Sequence, residues 1–257
     1  LEEAGFYGEA ARLYRDYVHD PQRAAASLER GGLLNEAAEM YKDWGEYEKA
    51  GDLYVRLEQT EDAHACFTSA AETCHEQRDY LEAARVYEEK LRRPEAALDV
   101  LSEGWAHSGQ QLECLRERFG LLGRLGRHDE ARALLDSLEG ECESPKRATE
   151  AVRALAQVSR AYPDADLCDE CADRAMVLAA EGLPRSMDAH VGLLTEGLAA
   201  LAPEDRLLRR DARRYEALRS EKGRDRQAGL RSPQGSRFAV RSFRLPVGVS
   251  WQLALPY

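Results

Sequence analysis

Paired small residues recur along the first hundred positions at a nearly fixed step. The pairs are Ala10-Ala11, Ala24-Ala25, Ala37-Ala38 and Ala50-Gly51, at steps of 14, 13 and 13. Ala63 continues the step of 13. Ala70-Ala71 follows 7 further on, then Ala83-Ala84 and Ala96-Ala97 at 13 each. Four pairs are trailed three or four positions later by Tyr14, Tyr41, Tyr54 and Tyr87, on the same helical face. A step of 13 fits a helix of roughly nine or ten residues plus a short turn, and two such units make a hairpin. The insertion of 7 is two helical turns. It predicts one longer helix, about Glu61 to Gln77, whose buried face stays in phase.

Punctuation agrees with that register. Gly31-Gly32, Gly45 and Asp79 stand where helices are expected to end, and glycine tolerates the left-handed conformation of a helix C-terminus. Pro21 and Pro94 suit a first helical turn. The Ala pairs let neighbouring helices approach closely. The tyrosines cover apolar area while keeping a hydroxyl for solvent or a carbonyl. Tyr7, Tyr47 and Tyr80 lead the same helices. So short a helix is unstable alone in water and must bury an apolar stripe on both neighbours, which makes the repeated phrase a stacking unit. The residues expected to pack the repeats are Ala10, Ala11, Tyr14, Ala37, Ala38, Tyr41, Ala50, Gly51, Tyr54, Ala83, Ala84, Tyr87, Ala96 and Ala97.

The words GFYGEAARLY (Gly5–Tyr14), GLLNEAAEMY (Gly32–Tyr41) and RDYLEAARVY (Arg78–Tyr87) resemble tetratricopeptide-type arrays. Their step is shorter than the 34-residue period of that family. It is closer to the short-helix solenoid arms of vesicle-coat and intraflagellar-transport subunits, and to bacterial arrays attached to β-propellers or ATPase systems. The resemblance covers about residues 1–139. It implies scaffolding and protein binding.

GRHDEARALLDSLE (Gly126–Glu139) is a late echo of the phrase. Beyond it the pattern predicts longer helices near Pro145–Tyr162, Asp164–Glu181, Pro184–Leu201 and Pro203–Ser220. Periodicity stops at Ser220–Arg237, where Gly, Pro, Ser and Arg dominate. Val247, Val249, Trp251, Leu253 and Leu255 then alternate with the period of a strand, and RFAVRSF before them is strand-like too. The expected fold is all-α: a right-handed α-solenoid of short antiparallel helix hairpins with a short β-like C-terminal segment. Its expected parts are a short-helix array over 1–142, a longer-helix continuation over 143–220, and a basic linker with strand-like residues over 221–257. The last part reads as the start of a β domain, and the chain, which opens on Leu1, as a piece of a larger protein.

Composition narrows the class. Of the 257 residues 44% are hydrophobic and 32% charged, too apolar for a disordered chain and too polar for a membrane protein. No run approaches the roughly 18 apolar residues of a membrane helix. The six cysteines follow no secreted-domain spacing, so reduced thiols and a cytoplasmic location are expected. The net charge of −11 is uneven: residues up to Cys142 hold 31 acidic and 17 basic side chains, the rest 16 and 19. The basic excess gathers between Arg206 and Arg244, where Arg209, Arg210, Arg213 and Arg214, with Trp251 further on, are the candidates for docking a partner.

Catalytic chemistry finds little to stand on. Cys168 and Cys171 form the one tight cysteine pair, and a zinc site would draw on Cys142 and His190 as well. Core packing within a helix is the preferred reading of that pair. The six histidines are isolated, and there is no phosphate-binding glycine loop or nucleophile elbow. The expectation is a non-enzymatic interaction scaffold, without cofactor or metal, that binds a peptide or helix of a protein partner. Two rivals are a nucleic-acid-associated adaptor using residues 206–244 and a regulatory arm of an ATPase or signalling enzyme.

Overall fold

Ten-residue helices closed by one left-handed residue generate the step of 13. Helices α2 (Pro21–Arg30), α3 (Leu34–Asp43) and α4 (Tyr47–Arg56) have ten residues each. After them Gly32, Gly45 and Glu58 take φ of 75°, 84° and 59°. The next N–H in each case returns to a carbonyl five residues back: Leu33 to Leu28, Glu46 to Tyr41 and Gln59 to Tyr54, all at 2.9 Å. This closure satisfies carbonyls that a helix end would leave without partners.

The computed structural model describes residues 1–107, 109–142, 144–182, 188–202, 205–206, 209–210 and 212–213. Among them it forms 12 α-helices and no strand. The others are α1 (Tyr7–Leu13), α5 (Thr60–Glu76), α6 (Tyr80–Arg85), α7 (Pro94–His107), α8 (Gln111–Arg124), α9 (His128–Glu141), α10 (Pro145–Ala161), α11 (Ala165–Gly182) and α12 (Asp188–Leu201). The expected helix Pro203–Ser220, the linker and the strand-like segment lie wholly or largely outside the described residues. Two compact units, Leu1–Leu121 and Leu122–Tyr257, divide the chain inside α8.

Two details depart from the expected register. Asp79 begins a helix rather than ending one: its carboxylate accepts the Glu82 N–H at 3.4 Å as the N-cap of α6. The left-handed closing residue is Arg78, at φ 61°. Ala96 is only half-buried, and the buried pair on α7 is Ala97-Leu98. The slip has a cause in the preceding helix. α6 runs into a π-helical turn, Val86–Lys90, as α1 runs into Tyr14–Val18. A π turn absorbs one extra residue. The step therefore becomes 14 from Ala10 to Ala24 and again from Ala83 to Ala97.

These two helices belong to a duplicated stretch. Tyr7, Glu9, Ala10, Ala11, Arg12, Tyr14, Pro21, Ala24, Leu28 and Gly31 recur 73 positions later as Tyr80, Glu82, Ala83, Ala84, Arg85, Tyr87, Pro94, Ala97, Leu101 and Gly104. The backbone follows. His19 and Arg92 are left-handed at φ 55° and 56°. The Asp20 N–H bonds the Tyr14 carbonyl at 2.9 Å, and the Arg93 N–H bonds Tyr87 at 2.8 Å. Tyr7 lies so close to Gly31 that a Cβ there would come 2.5 Å from its own Cβ; Tyr80 crowds Gly104 likewise, at 2.9 Å.

Within the first unit, α1 through α7 pack each on the next. A shared core runs from Ala11 through Ala37, Tyr54 and Phe67 to Leu91. Within the second, α10 packs on α11 and α12, and α11 also on α9 and α12. Its core includes Leu138, Val152, Leu155, Leu167 and Leu194, all fully buried. The buried hydroxyls of Thr149 and Thr195 donate to the carbonyls of Pro145 and Gly192, at 2.7 and 2.8 Å, so neither is left unsatisfied.

Ala37 and Ala83 have no exposed surface. Replacing either by Leu adds three carbons to a filled space and is expected to cost about 1–3 kcal/mol. Thermal unfolding checks this: both variants should melt lower, and an unchanged midpoint in both would reject the assigned register.

Candidate protein-binding surface

The residues of the repeated phrase face inward. Ala10, Ala11, Ala37, Ala38, Ala50, Gly51, Ala83, Ala84 and Ala97 are buried. A Cβ on Gly51 would come 2.6 Å from the Phe67 ring, so only glycine admits that ring. Tyr41 and Tyr54 are buried, Tyr14 and Tyr87 half-buried. The Tyr54 hydroxyl donates to the Glu39 carboxylate. Burial first, then that carboxylate, hold its pKa well above the usual phenol range. The Lys49 and Lys90 ammonium groups stand over the rings of Tyr41 and Phe67, at 5.6 and 5.3 Å.

Polar side chains tie several helices to the next but one. In the first unit Arg56 of α4 meets Glu29 of α2 at 2.7 Å, and Arg85 of α6 meets Glu48 of α4 at 2.7 Å. His75 of α5 meets Glu103 of α7 at 2.8 Å. Arg85 is a hub, since it also holds Glu82 at 2.6 Å and Glu89 at 3.2 Å. Beside it Lys90 reaches Asp52 at 2.6 Å. In the second unit Arg174 of α11 bridges Asp136 and Glu139 of α9, at 2.9 and 2.6 Å. Each such half-exposed pair contributes only about 0–1 kcal/mol. Together they fix which turn faces which.

Apolar side chains stand at the surface of the first unit beside its first helix. Leu13, Tyr17 and Val18, on α1 and its π turn, are exposed. Beside them lies a cleft of about 420 Å³ lined by Leu1, Glu2, Glu3, Ala10, Leu13, Tyr14 and Val18. The phrase had pointed to Ala10 and Tyr14 but not to this apolar face. The available signal was the word EAAR-[L/V]-Y written twice: Arg12 and Arg85 share one position, as do Leu13 and Val86.

Cys171 is fully buried and Cys142 nearly so; burial pushes each thiol up to about 12, which leaves it inert at neutral pH. Cys168 is half-buried, and its thiol donates to the Tyr162 carbonyl at 3.4 Å. Cys142, Cys168 and Cys171 do not join into a ligand set: no group of three or more His, Cys, Asp or Glu among the described residues could hold a metal ion. The His190 side chain, Arg214 and Trp251 lie outside the described residues. Arg209, Arg210 and Arg213 are exposed. Among the described residues no helix is long and apolar enough to cross a membrane. Comparison with protein-family models, with curated proteins and with solved structures finds no match.

Proposed function

We propose that the chain is a non-enzymatic interaction scaffold: a cytoplasmic, tetratricopeptide-like α-solenoid arm that seats a peptide or helix of a protein partner. The observation that supports this reading is the recurrence, within the first unit, of one closed helix packed on its successor and joined by an ion pair or a side-chain hydrogen bond to the helix after that. Such stacking produces a long, side-chain-lined surface without needing a catalytic cavity. Partners then bind as helices or extended segments laid along it. The scaffold works with reduced thiols and without a cofactor.

The test is a binding comparison on the purified chain. A panel of amphipathic helical and extended peptides is titrated against it by fluorescence anisotropy, alongside single-stranded RNA and duplex DNA at about 50 and 200 mM salt. Peptide binding that persists at the higher salt is the expected result. Nucleic-acid binding with a steep salt slope, and no peptide binding, would replace the scaffold by the adaptor that uses residues 206–244.

A further inference from the structure

We draw no further inference here: the strongest candidate, the exposed acidic side chains of α3, α5 and α7 in the first unit, Glu36, Asp62, Glu72 and Asp99 among them, is a cluster of carboxylates alone, and nothing in the structure shows what covers it.

Discussion

Trp105→Ala should be among the most destabilising single changes in the first unit, lowering stability by about 3–5 kcal/mol. Trp105 is 1% exposed and is the largest fully buried side chain among the described residues. It sits near the end of α7, after Gly104, where a Cβ would come 2.6 Å from the Cys114 sulfur and 2.9 Å from Tyr80. Packing that tight cannot collapse onto the space an indole leaves, so the lost transfer energy and the cavity add. Set against a total stability of about 5–15 kcal/mol for an ordinary domain, the change leaves the unit near its folding threshold. Urea titration followed by far-ultraviolet dichroism reads it, since Trp105 fluorescence is lost with the side chain. Trp44→Ala is the control: Trp44 is 40% exposed, and its removal should move stability by about 0.5 kcal/mol or less. Equal midpoints for the two variants would contradict the core described here.

The short helices were legible because their determinants are local. A buried Ala pair, a glycine able to go left-handed and a proline at a first turn all declare themselves in one sequence. Gly32, Gly45, Pro21 and Pro94 did so, and α2, α3, α4 and α5 stand where the spacing placed them. Left-handed helix ends at His19, Glu58, Arg78 and Arg92 could not be read, since any residue type can be driven left-handed when the packing beyond it compensates. Asp79 was misread for that reason: with Arg78 closing α5, the aspartate was free to cap α6. The π turns were hidden as well, and the single extra residue they absorb moved the buried pair from Ala96-Ala97 to Ala97-Leu98. α8 escaped the pair pattern because it packs leucines, Phe119 and Cys114 instead of paired alanines.

The candidate surface was harder to read for a different reason. Patterning reports which residues a helix tends to bury, not how deeply each is covered in the fold. Leu13 and Val18 carry the same signal as Val86 and Leu91, yet the first pair is exposed and the second buried. The Arg85 hub is another tertiary fact. Its partners Glu48 and Glu82 lie 37 and 3 residues away, the first on α4 and the second on its own helix, and no local word announces the first.

Alkaline pH should destabilise the second unit. Cys142 and Cys171 ordinarily would lose their protons near 9, but burial pushes both up to about 12. The folded state therefore holds these protons more tightly than the unfolded chain. Below pH 9 both states are protonated, and the full contribution is present. As pH climbs from 9 toward 12 the unfolded thiols ionise while the folded ones cannot, and stability falls by about 1.4 kcal/mol per pH unit for each thiol. Tyr162, also raised by burial, steepens the loss from above pH 10. Urea midpoints should thus be flat from about pH 7 to 8.5 and drop sharply by about pH 11. The double variant Cys142→Ala, Cys171→Ala should start from a lower plateau, because alanine leaves small cavities, yet lose much less between those limits. Thiol titration at pH 8 gives an independent reading, with Cys142 and Cys171 reacting last because so little thiolate forms. An identical pH slope in the parent and the double variant would mean that these two thiols are not the groups whose burial the fold protects.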